Sequence, residues 1–302
     1  MTAIFLLLSA LSYGAIAPIY LVQESDIQRM VKLGAITQNS SLQYSEDVWK
    51  DSTGKSWKFQ IISQRNNLTP VFFIPHDNEQ DSFRTAIEYL NKYRRGTIIA
   101  VECGEKRLCG TIDPNRHFKN QSYQAKVFSY FSGQRIAITL HNNAEGCVQN
   151  GGAGNIHAQF PYSGAEGFAR GVSVVYGDYD DVVIHNGRQP PQGFNAKLRK
   201  FLESKRINEL YEKNPTKNDG SMSFAASQRG LYYFNVDAKE RANYGPSGYK
   251  IQFNILEGLL SWYQKEVARL SFVNGYTLSM ADFPLEVEGG SEESAATLVH
   301  SH

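Results

Sequence analysis

The stretch TPVFFIPHDNEQDSFRTAIEYLNKYRRGTIIAV, residues 69–101, decides the fold. Thr69–Ile74 is a short continuous apolar run stopped by Pro75, the pattern of a strand buried on both faces. From Asp81 to Arg94 the apolar side chains Phe83, Ile87 and Leu90 recur at helical spacing (i, i+4, i+7). Gly96–Val101 then reads as a second strand, so the segment predicts a β-α-β unit.

The same pattern continues outward. Arg135–Asn142 (RIAITLHN) alternates strongly and reads as a central strand. VSVVYG at 172–177, DVVIH at 181–185 and LYYFNVDA at 231–238 read as further strands, and WKFQIIS at 57–63 as another within a polar N-terminal segment. Helical spacing marks Phe194–Tyr211 and Tyr249–Leu270, with a short amphipathic stretch near Ile27–Leu33. The loop 213–230 is rich in Gly, Ser and Asn and long enough to cover a site. Strands alternating with helices predict an α/β fold with a mixed, mainly parallel central sheet flanked by helices. No repeat or linker breaks the chain, so one domain is expected over 18–285, followed by an aperiodic, disordered tail at 286–302.

The 302 residues carry 31 Lys+Arg against 30 Asp+Glu, a balance that gives no electrostatic footprint for nucleic acid. Hydrophobic residues at 41% suffice for a packed core and exclude disorder as the main state. The Gly-rich stretch GGAGNIH at 151–157 lacks the Lys-Ser/Thr of a phosphate loop, so no nucleotide is expected. Met1–Val22 is a leucine-rich apolar run with small residues at Ala15 and Ala17. It reads as a signal peptide over 1–17 for secretion or periplasmic export, with a membrane anchor as the competing reading. Three cysteines are too few for a disulfide scaffold, although Cys103 and Cys109 could close a short loop and leave Cys147 free.

Chemistry-bearing residues gather where an α/β protein places its site, at the carboxyl ends of strands. His76 and Glu79 follow TPVFFI directly, and imidazole with carboxylate three residues apart suits zinc. His141 ends RIAITLHN and could supply a third ligand. Asn115 and Arg116, in the loop DPNR, offer a neutral donor and a planar fork for a carboxylate. Asp237, late in LYYFNVDA, could act as a general base. Taken singly, each has a bland reading as a solvated turn or a satisfied histidine. Glu240, His185, His117 and the acidic turn around Asp180 and Asp181 are set aside as solvated or structural.

The order of these segments (H-x-x-E after a strand, D-x-N-R, a strand ending in His, a strand ending in a carboxylate) resembles the zinc carboxypeptidase superfamily. Its succinylglutamate desuccinylase and aspartoacylase-like branch is included, and the likeness spans about residues 69–270. DAKERANYG, from Asp237, is similar to the family's E-x-R-D-x-G-x-Y-G, with Tyr244-Gly245 in register. The resemblance implies one Zn²⁺ per chain on His76, Glu79 and His141. It gives Asn115 and Arg116 the substrate's free carboxylate, Asp237 the place of the catalytic Glu, and Arg107 that of a second arginine. The family's mobile tyrosine would fall on Tyr211, Tyr232 or Tyr233.

Amide hydrolysis beside a free carboxylate is therefore expected, on a protein C-terminus, a cell-wall peptide or a small N-acyl amino acid. Asp237 is one methylene shorter than Glu, which keeps open a catalytically silent relative that holds zinc and binds a peptide or glycan.

Overall fold

The computed structural model describes residues 17–65, 67–154, 156–170, 179–186, 193–213, 218–240 and 249–274. The expected leader (but for Ala17), the strand at 172–177, Tyr244-Gly245 and the C-terminal tail lie outside the described residues.

In chain order the elements are β1 (Ala17–Pro18), α1 (Ser25–Lys32), β2 (Leu42–Lys50), β3 (Ser56–Gln64), β4 (Val71–Ile74), α2 (Gln80–Tyr93) and β5 (Thr97–Glu102). There follow a 3-10 turn (Pro114–Arg116), α3 (Gln121–Ser129), β6 (Ile136–Asn143), β7 (Ala165–Phe168), β8 (Val182–Asn186) and α4 (Phe194–Ser204). The described chain closes with β9 (Asn208–Glu212), α5 (Met222–Gln228), β10 (Tyr232–Lys239) and α6 (Lys250–Asn274). One sheet takes all the described strands, in the order β1-β2-β3-β5-β4-β6-β10-β8-β9-β7.

The mixed α/β class is as the sequence predicts, with its parallel character confined to part of the sheet. β5, β4, β6 and β10 run parallel at the centre, and β8 pairs parallel with β9. The remaining neighbours are antiparallel, beginning with the β2–β3 hairpin. The short turn between β2 and β3 allows only antiparallel return, whereas α2 carries the chain from β4 to its parallel neighbour β5.

Period-two alternation explains why β4 is apolar throughout. Phe72 and Ile74 enter the core with α2, α4 and α6 on one face, and Val71 and Phe73 enter the core with α3 and α5 on the other. The turn from α2 into β5 needs a glycine. Gly96 has φ +111°, and a Cβ there would stand 2.9 Å from Leu90 Cδ1 and 3.1 Å from the Pro70 carbonyl oxygen.

Two expected elements end elsewhere. The helix begun at Phe194 stops at Ser204, where Lys205 N and Ile207 N donate to the Phe201 and Leu202 carbonyls and Arg206 takes φ 56°. Leu210, expected on the helix face, instead packs from β9 against Val182 and Ile184. The expected loop 213–230 contains α5, whose N-cap Ser221 Oγ accepts from Phe224 N at 3.2 Å. Small side chains on α5 (Ala225, Ala226) let it lie close on the sheet.

Candidate metal centre

Alternation also positions the site. His141 and Asp237 are register partners near the carboxyl ends of the parallel pair β6 and β10, so both side chains leave the sheet on one face. His76 and Glu79 lie just beyond β4, next to β6, with Glu79 at the N-cap of α2. Gln252 of α6 ties the strand ends together, its amide donating to the carbonyls of His141 (2.8 Å) and Val236 (3.0 Å) and to Ser82 Oγ (3.0 Å).

His76, Glu79 and His141 converge, all buried, with one ligand atom of each within 4.8 Å of the others. His76 Nδ1 is 2.6 Å from Glu79 Oε1 and 3.1 Å from His141 Nδ1, and His141 Nδ1 is 3.2 Å from Glu79 Oε2. Two imidazole nitrogens and a carboxylate form a donor set that suits zinc, whose tetrahedral ligands stand about 3.3 Å apart at ordinary bond lengths. Nε2 of His76 faces Asp113 Oδ1 at 2.9 Å, an outer carboxylate that fixes the ring and leaves Nδ1 for the centre. The residues fit the metal.

Burial alone would lower the His76 pKa, but the charge of Glu79 and bonds to Asp113 and Glu79 push it up to about 9. Burial raises Glu79, yet His141 and His76 outweigh it and hold the carboxyl down to about 2. His141 is lowered, chiefly by burial. Asp237 lies fully enclosed, and its Oδ1 has no hydrogen-bond partner among the described residues. Burial and the charge of Glu79 push its carboxyl well above the usual range.

The arginines divide. Arg107 Nη1 donates to Glu79 Oε1 at 3.2 Å, and Nη2 lies 3.9 Å from Asp113 Oδ2. Arg116 is exposed and donates to Asp219 Oδ2 at 2.9 Å. Asn115 gives its backbone N–H to Asp113 Oδ1 at 2.8 Å, while its side-chain Oδ1 is buried without a partner among the described residues. Asp113 thus holds both His76 and the start of the turn that carries Asn115 and Arg116.

Among the tyrosines, Tyr233 OH bonds Thr139 Oγ1 at 2.7 Å, and Tyr232 OH bonds His185 Nδ1 at 2.7 Å, both in the core. Tyr211 OH accepts from Asn195 Nδ2 at 3.1 Å. His185 is buried with its Nε2 3.1 Å from Glu209 Oε1, and His117 packs among Trp49, Trp57 and Tyr123, so both are structural. Glu240 is exposed beyond Lys239. The Asp180–Asp181 turn, expected to be solvated, is buried: Asp180 Oδ2 accepts from Gly146 N at 2.8 Å and Asp181 Oδ1 from Lys239 N at 3.0 Å. Cys103 and Cys109 form a disulfide, and Cys147 is free and buried. The supporting roles of Asp113 and Gln252 gave no signal in the sequence beyond the place of Asp113 in DPNR.

The sequence matches no protein-family model and no curated protein. In structure the chain is similar to a metallo-carboxypeptidase from Pseudomonas aeruginosa (9% identity, TM-score 0.39), covering 79% of this chain and 67% of that one. It is similar to a succinylglutamate desuccinylase/aspartoacylase from Rhodobacter sphaeroides (11%, TM-score 0.37), with 72% of this chain against 63% of that one. A third similar structure is thrombin activatable fibrinolysis inhibitor (8%, TM-score 0.41), covering 85% and 79%. The first two are of the kinds that the sequence resemblance named.

Proposed function

We propose that the protein is a zinc-dependent hydrolase cleaving an amide bond beside a free carboxylate, in the manner of a carboxypeptidase. The observation that carries this reading is the buried convergence of His76, Glu79 and His141 at strand ends, with Asp237 in register beside them. Zinc held there would supply a Lewis acid for the amide carbonyl and an acidified water. Asp113 holds His76 through Nε2. Asp237, whose carboxyl is pushed upward by burial and the nearby Glu79 charge, would take a proton from a water and return it to the leaving amine once added positive charge lowers its pKa. Arg107 offers charge to an anionic oxygen, and Asn115, whose Oδ1 has no partner among the described residues, offers its side-chain amide as a donor to a substrate carboxylate. Arg116 joins it on leaving Asp219, an exposed pair worth little.

The substrate is a peptide or acyl-amino acid with a free carboxylate, and a small N-acyl amino acid is the alternative to a peptide terminus. The Cys103–Cys109 disulfide supports an oxidising compartment and thus export. A panel of peptides, cell-wall stem peptides and N-acyl amino acids, assayed for released amine, tests the activity. Zinc-dependent release that Asp237→Ala abolishes supports it; no release from any member argues against it.

A second reading, a zinc-holding binding relative, is favoured by the enclosed, shorter carboxylate of Asp237. Asp237→Glu separates the two, since turnover in that variant identifies a hydrolase and silence in both forms identifies a binder.

A further inference from the structure

Arg107 reaches the candidate centre from a loop, not from a strand or helix. Its guanidinium donates to Glu79 Oε1, yet 48% of its side chain is exposed. An ion pair that open contributes about 0–1 kcal/mol, too little to order a side chain with as much rotamer freedom as arginine.

The backbone beneath it is held far more firmly. Residues 103–109 form a loop closed at its ends by the Cys103–Cys109 disulfide. Inside it Gly104 and Glu105 take consecutive positive φ angles of 68° and 60°, the second unfavourable for a side chain other than glycine. This turn aims the backbone N–H groups of Cys103 and Glu105 at one atom, Asp77 Oδ2, 2.7 Å from each. Two charge-assisted bonds to a buried carboxylate offset the cost at Glu105. Asp77 directly follows the ligand His76. At the other end Cys109 bridges to Ile112, and the next residue is Asp113, the partner of His76 Nε2. Both ends of the loop are therefore anchored to the residues that set His76.

Resting on the metal-centre reading, we propose that Asp77 and the disulfide-closed loop 103–109 are a positioning device for Arg107, holding its guanidinium where an anionic oxygen of the substrate would lie. Asp77, Cys103 and Cys109 act through Arg107 and are positioning residues.

The test titrates the cobalt-loaded full chain with acetohydroxamate, a small anionic chelator, and reads the visible absorption of the cobalt. Arg107→Ala and the double variant Cys103→Ser/Cys109→Ser should each weaken acetohydroxamate about tenfold, as for one lost charge-assisted bond. Cobalt stoichiometry should stay the same. The triple variant should bind no more weakly than Arg107→Ala alone, because the loop acts only through that side chain. Unchanged affinity without the disulfide, or a loss that adds to that of Arg107→Ala, overturns the proposal. If the cysteine variant does not fold, Asp77→Asn carries the test: weaker binding in wild-type background and none further in Arg107→Ala support it, and equal binding overturns it. A wild-type chain that takes up no cobalt overturns the metal reading and this one with it. A wild type that binds both, with loop variants matching it, overturns the loop's role alone.

Discussion

Asp113 is the residue on which the geometry of the centre turns. Its Oδ1 accepts from the His76 ring and from the backbone N–H of Asn115, so one carboxylate sets His76 and the neighbouring turn. Asp113→Ala should weaken zinc about 10- to 100-fold, the usual effect of losing an outer carboxylate, while the circular dichroism spectrum is retained. Competition with a chromophoric chelator measures this, and unchanged affinity would refute the role. Asp237→Glu should raise turnover by up to about a hundredfold if the shorter side chain leaves the carboxylate ~1 Å short. The placement of His76, Glu79, His141 and Asp237 at strand ends was legible in the sequence because each ends or follows a strand whose apolar pattern is plain. The exposed pair of Arg116 with Asp219 was not legible, since its loop has no periodicity from which direction can be read.

At the scale of elements, α1 is docked on the start of α2 by Gln80 Nε2, which donates to Asp26 Oδ1 at 2.7 Å. Burial chiefly, with the neighbouring Glu24 and Asp77 charges, raises the Asp26 carboxyl to about 8, against the lowering effect of Gln80. An acid with a folded pKa above its unfolded value binds a proton on folding, so stability is full below about 4 and falls as pH rises towards 8. Asp26→Asn should therefore stabilise the fold at pH 8.5 by about 1–3 kcal/mol and have little effect at pH 4. Urea unfolding at the two pH values decides this; equal effects at both would contradict it. The β4–α2–β5 unit was readable because continuous apolar strands around a helical period admit one arrangement. β2, β9 and α5 were not: charged residues interrupt β2, Leu210 of β9 fits a helix face as well, and α5 is built from the small polar residues of a loop.

For the whole molecule, the sheet buries side chains on both faces, and the central strands β4, β6 and β10 deliver the site to their common end. A centre formed only when these strands are assembled couples metal binding to folding. Zinc at a hundredfold excess over its dissociation constant should add about 2.7 kcal/mol to stability, and a chelator should remove it. Thermal unfolding with zinc and with chelator checks this, and coincident curves would contradict it. What the sequence could not show at this scale is which way the outer strands run, because apolar alternation is the same in parallel and antiparallel neighbours.

The central claim is that His76, Glu79 and His141 hold one zinc. Elemental analysis of the purified, zinc-reconstituted chain beside His76→Ala, Glu79→Ala and His141→Ala tests it most directly. The account predicts about one zinc per wild-type chain and its loss in each variant, with folding preserved. A wild-type chain without zinc, or variants that keep it, would contradict the account.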